Sequence, residues 1–258
     1  LVRQDTQQVL NMVGSKYTVF QNREAFSFLD SLLMDGIMKY ETAFALQGGR
    51  QIVLLARMPS VDYVTKEDAQ MRYVMCNLSH GGGSIVMMPT SVRVVCANTL
   101  NIALKTGDTH KVTVRHSGDM ASKLAIAKSH LSQFDKAFTD YTERAKEFLV
   151  VHTKEQAKAY IAELYPDPEP NLEGEVTDRA KLNQERKIEQ VQSMWRQPAQ
   201  QLDSIKGTWW QLFNSVTADI DHGTLRKRTN ESRFDSVING QGADKKRKAF
   251  ELALAMSA

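Results

Sequence analysis

Apolar positions change their spacing twice along the chain. In residues 22–34, Phe26, Leu29, Leu33 and Met34 recur every three or four residues, which predicts an amphipathic helix Asn22–Met34 stopped by Gly36. The period then shortens. Tyr40–Leu46 and Arg50–Met58 flank Gly48-Gly49 and predict a β-hairpin, with Pro59 ending its second strand. Residues 60–70 are polar and predict a loop. Arg72–Leu78 reads as a third strand and His80–Ser84 as a turn. Ile85–Met88 and Ser91–Cys96 read as short strands broken by Pro89. Asn98–Leu104 predicts a short helix, capped by Asn98 and followed by Gly107. His110–His116 alternates, with Val112, Val114 and the two histidines on one face and Lys111, Thr113 and Arg115 on the other.

From Asp119 the helical period returns. Leu124, Ala127, Leu131, Phe134, Phe138 and Tyr141 form one stripe, predicting a long helix that reaches Val151. Thr153 and Gln156 have capping-box spacing and open a second helix that runs to about Leu164. The run Tyr165–Pro170, with three prolines, and the acidic stretch after it predict a linker or extended arm. Asp178–Trp195, Thr208–Asp221 and Asp244–Met256 read as helices. The fold class expected is α+β: an antiparallel β-meander backed by a long helix, then a helical C-terminal portion. The expected organisation is a core over 1–164, a linker over 165–176 and helices over 177–258, with no internal repeat.

Composition narrows the class. The chain has 258 residues, 42% hydrophobic and 24% charged, which suits one large or two small globular domains. No run of 18 apolar residues is present, so no spanning helix is expected. The net charge is +3, too small to indicate nucleic-acid binding by itself. Cys76 and Cys96 stand apart in apolar surroundings and read as buried reduced thiols. The first residue is Leu1, so a segment is expected to precede it. Residues 1–20 lack the apolar core of a signal peptide, and a soluble cytoplasmic protein is expected.

No motif specifies catalysis. His80-Gly-Gly-Gly-Ser84 lacks the Gly-Lys-Ser/Thr ending of a phosphate loop, and no Gly-x-Ser-x-Gly elbow occurs, so a turn is the plainer reading. The six histidines lack zinc-site spacing, although His110 and His116 share a strand face. The Glu169–Glu175 run reads as solvated. Cations on predicted strands are more informative: Arg50 and Arg57 bracket a hairpin strand, Arg93 interrupts an apolar one, and Lys111 and Arg115 share a face. They fit either a solvated sheet face or a groove that tracks phosphates. Tyr40, Tyr63 and Tyr73 could stack on bases or fill the core. Two basic clusters, Arg226–Arg228 and Lys245–Lys248, read as helix-end charge or as further phosphate contacts. Trp209 reads as core, and Trp210 as packing on the first domain or a neighbouring subunit.

Val13–Tyr17 with Gln21, Asn22 and Phe26 resembles the opening of a phage- and plasmid-borne family known only as a domain of unknown function. Arg93–Leu100 is the most specific stretch. Gly48–Arg50, Arg115-His116, Gly207–Trp209, Asn214 and Asp221-His222 continue the resemblance, which spans about residues 13–256. His80-Gly-Gly-Gly departs from it, since the family pattern has His-Asp-Gly there. The order of elements is similar to the core of the single-strand annealing proteins, the Redβ, Erf and Sak types and the eukaryotic annealing recombinase. That resemblance implies an ATP-independent single-stranded DNA-binding and annealing protein of phage or plasmid recombination, a ring or filament oligomer in the bacterial host cytoplasm.

Arg50, Arg57, Arg93, Lys111 and Arg115 are then expected to contact phosphate, with Lys245, Lys246, Arg247 and Lys248 as a second set. A partner exonuclease or host single-strand-binding protein fits this role. Enzymatic activity, a cofactor, a metal and a membrane are not expected. The alternative is a non-enzymatic protein that binds a host protein, as a counter-defence or regulatory factor. A metal nuclease built on His110 and His116 ranks last, because no acidic cluster accompanies them.

Overall fold

Two positive-φ glycines make the first hairpin. After strand β1 (Lys39–Leu46) the chain turns through a short 3-10 segment, Gln47–Gly49, with φ of 52°, 67° and 94° at Gln47, Gly48 and Gly49. Side chains with a Cβ disfavour that region, which explains the glycine pair. Strand β2 (Gln51–Thr65) returns antiparallel, in register from Leu46↔Gln51 to Lys39↔Arg57 with an irregularity between Tyr40 and Thr42. The structure, a computed structural model, describes all residues except 35–37, 94–98, 102–110, 120–121, 123–124, 127–128, 130–131, 173, 224–228, 230–231, 233–234, 238–239 and 258, and only the backbone at 28–29, 31–34, 99–101 and 132.

The expected fold class holds: a mainly antiparallel sheet accompanied by helices. Strands β3 (Asp68–Ser79), β4 (Ile85–Arg93), β5 (Thr99–Asn101) and β6 (Val112–Val114) complete a six-stranded sheet in the order β1-β2-β3-β4-β5, with β6 antiparallel to β4. The helices are α1 (Asn22–Met34), α2 (Ser132–Glu147), α3 (Lys154–Leu164), α4 (Asp178–Trp195), α5 (Trp209–His222) and α6 (Gln241–Ser257). Among the described residues no helix is long and apolar enough to cross a membrane.

Three local expectations are corrected. Strand β2 does not stop at Pro59. It continues to Thr65, and only Lys66 and Glu67 turn before β3. Pairing with β1 ends at Arg57, so the missing N–H of Pro59 costs no bond in that ladder. Strand β4 likewise runs through Pro89, two residues past its pairing with β6. Thr99–Asn101 is strand, not helix, a case of sheet pairing overriding local propensity; the rest of that predicted helix and Cys96 lie outside the described residues. Cys76 is a buried free thiol.

The chain forms two compact units. The first comprises Leu1–Asp62, Gln70–Val92 and Asn101–Tyr141; the second comprises Tyr63–Ala69, Arg93–Leu100 and Thr142–Ala258. This differs from a boundary at 164. Helix α3 and the proline-rich run belong to the second unit, where buried Tyr165 donates its hydroxyl to Asp219 Oδ2 at 3.1 Å. Tyr165 thus fixes the start of this run in the second unit.

Within the second unit, helix α5 is buried from Trp209 to Asp219. A helix buried on all sides is the centre of its unit. Phe148 packs against Trp210, Phe213 and Phe250, and Tyr160 against Trp209. Trp210 thus packs on Phe148 and donates to Asp68, both residues of the expected 1–164 core, which belong with it to the second compact unit. Side-chain caps start the neighbouring helices: Thr153 and Gln156 form the predicted capping box of α3, and Thr177 and Thr208 accept from Ala180 N and Gln211 N.

Candidate nucleic-acid interface

The register of the first hairpin places Lys39 opposite Arg57 on neighbouring strands. Two like charges facing each other repel, a destabilising arrangement unless an anion comes between them. Glu41 Oε2 lies 3.8 Å from Arg57 Nε, with both side chains nearly half exposed. Such a pair contributes only about 0–1 kcal/mol. Beside these cations opens a cleft of about 300 Å³. Its other walls are Met38, Met58, Pro59, Val61 and Met71, all apolar. Buried Tyr73 lies alongside, its hydroxyl donating to Met71 Sδ at 3.4 Å. Burial pushes the Tyr73 phenol up, Glu41 adds to that, and Arg57 opposes it, so Tyr73 senses both charges.

The other cations expected on the sheet divide. Arg50 is exposed just after Gly49, its carbonyl accepting from His80 N at 2.7 Å. Lys111, Thr113 and Arg115 are exposed while Val114 and His116 are buried, which is the alternation expected for this strand. Arg93 requires a correction. Its side chain is 1% exposed, and its Nε donates to both oxygens of Asp68 at 2.7 and 2.9 Å. Arg93 Nη1 donates to Gln200 Oε1 at 2.8 Å, and Trp210 Nε1 donates to Asp68 Oδ2 at 2.6 Å. Arg93 thus ties the second unit together and cannot present its guanidinium to a phosphate.

The C-terminal set is not a run of open cations either. Lys246 is 2% exposed and donates to buried Asp221 at 2.8 Å, so its expected DNA contact is also withdrawn. Lys245 lies 4.0 Å over the Tyr165 ring, and its ammonium is pushed down by burial and by neighbouring Lys187. Arg247 is half-buried and Lys248 exposed, and they pair with Asp244 and Glu163. Of the tyrosines, Tyr73 is core, Tyr63 is exposed, and Tyr40 is partly exposed with its hydroxyl near Phe26 O and Asp30 Oδ1. Arg226–Arg228 and His110 lie outside the described residues.

His80 does more than open a turn. Its Nε2 donates to Asn22 Oδ1 at 2.7 Å, while Tyr17 stacks on His116 with ring centres 4.9 Å apart. Burial pushes both imidazoles down, and His116 adds its charge to the effect on His80. A larger cavity of about 570 Å³ adjoins His80 and Asn22, but its arginine, Arg3, is already held by Asp5. Among the described residues no three His, Cys, Asp or Glu side chains stand together as metal ligands.

The model of the domain of unknown function DUF932 matches residues 9–238. The chain belongs to the DUF932 family. No curated protein and no solved structure matches it. The cleft with Lys39 and Arg57 lies inside the DUF932 span, whereas Lys245–Lys248 lie beyond its end. Sequence reasoning missed Lys39. The signal available was its position at the start of the first hairpin strand, paired in register with the cation at the far end of the second.

Proposed function

We propose that this DUF932 protein binds single-stranded DNA and anneals complementary strands without ATP, acting as a homo-oligomeric ring or filament. The observation that carries the reading is the facing pair Lys39 and Arg57 beside an apolar cleft. A polyanion relieves the repulsion between the two cations, and an extended strand also brings apolar base faces to the same place. Exposed Arg50, Lys111 and Arg115 supply further positive charge on the same unit. The meander of β1, β2 and β3 with helix α2 also supports the reading, since it follows the element order of the annealing proteins.

The mechanism involves no covalent chemistry. Cations neutralise one strand, hold it extended and lower the repulsion met by its complement. A strand-annealing assay with two labelled complementary oligonucleotides, run without ATP, tests this. The protein should accelerate pairing, and the Lys39→Glu/Arg57→Glu double variant should lose most of that acceleration while folding normally. Pairing no faster than in buffer contradicts the proposal.

A further inference from the structure

We infer that the methionine-lined cleft beside Lys39 and Arg57 receives a nucleobase, so that the protein holds single strands in preference to duplex. This rests on the single-strand reading above and adds what the strand inserts and why the duplex is disfavoured.

The cleft walls set the chemistry of the occupant. Met38, Met58, Pro59, Val61 and Met71 carry no charge and no side-chain N–H or O–H, so they suit an apolar, polarisable surface and not a sugar or a metal ion. Methionine thioethers are flexible and make favourable contacts with aromatic rings. The volume of about 300 Å³ lies at the lower end of the range for small-ligand pockets, which suits one ring system better than a larger molecule. The two cations line the same cleft. Its occupant must therefore carry negative charge within one side chain's reach of an apolar face. A nucleotide within a strand has that geometry: a base with a phosphate on either side.

In a duplex each base is stacked and paired, and entering a protein cleft requires unstacking it first. Duplex DNA is thus limited to the cations, whereas a single strand uses cations and cleft together. Val61 is 42% exposed and Pro59 is exposed, so the mouth opens to solvent.

Three fluorescent probes of equal length separate the possibilities: an oligo-dT strand, a strand of abasic sites with the same phosphates, and a duplex. Binding is measured by anisotropy at one fixed salt concentration. A base stacked in the cleft should make oligo-dT bind about tenfold tighter than the abasic strand or the duplex. Val61→Asn, at the exposed mouth, should remove most of the preference for oligo-dT over the abasic strand, with an unaltered melting curve. Equal affinity for oligo-dT and the abasic strand overturns the inference but leaves DNA binding standing. A preference for oligo-dT that survives Val61→Asn overturns the assignment to this cleft. Binding to none of the three probes overturns the DNA-binding proposal together with the inference.

Discussion

Asp68 and Arg93 form a fully buried ion pair in which Arg93 Nε donates to both carboxylate oxygens. The same carboxylate accepts from the Trp210 indole, so strand β3, the end of β4 and helix α5 meet at one group. Removing either partner of a buried pair leaves the other charge uncompensated, at a cost of about 3–5 kcal/mol. Asp68→Ala and Arg93→Ala should each lower stability by that order in denaturant unfolding. Any Arg93→Ala protein that remains folded should bind DNA as the wild type does. Normal stability with weakened DNA binding would restore Arg93 to the interface.

Lys246 and Lys248 should behave as opposites despite sitting two residues apart. Lys246 is buried against Asp221, so Lys246→Ala should cost about 3–5 kcal/mol. Lys248 pairs with Glu163 at the exposed surface, and Lys248→Ala should change stability by less than about 1 kcal/mol. Thermal melts of the two variants check the contrast, and similar losses for both would contradict it.

His80 and His116 give the first unit a pH dependence of definite sign. Both imidazoles are held below their ordinary value of 6.5 by burial, so the unfolded chain takes up protons more readily than the folded one. Their contribution is fully present above pH 6.5 and is lost as pH falls through the depressed folded values. Stability should therefore decline on acidification below pH 6.5, and His116→Phe, which keeps a ring against Tyr17, should flatten that decline. An identical pH profile for the variant would show that His116 does not contribute.

Lys39 and Arg57 should account for part of the salt sensitivity of DNA binding. Replacing either by Gln removes one phosphate contact and should reduce the slope of log affinity against log salt by about one. Titrations over a range of salt concentrations read this directly, and an unchanged slope for both variants would remove the pair from the interface.

Much of the fold is legible in the sequence, because the signals that write it are local. Thr153 and Gln156 announce the capping box of helix α3, and Gly48-Gly49 announces the first hairpin turn. The breaks expected at Pro59 and Pro89 are absent; at Pro59 the pairing with β1 has already ended, which only the register shows. The site is less legible for the same reason. Arg93 reads as a surface cation on its strand, but its partner Asp68 is 25 residues away in sequence and Trp210 completes the group from helix α5. Lys39 carries no motif, and only its pairing with Arg57 sets it apart.

Strand binding by an oligomer is read in a single experiment by size-exclusion chromatography with light scattering, with and without a single strand of about 50 nucleotides, at low and high salt. A large homo-oligomer that co-elutes with the strand at low salt and releases it at high salt is the predicted result. A small species whose elution and mass ignore the strand at either salt concentration would contradict it.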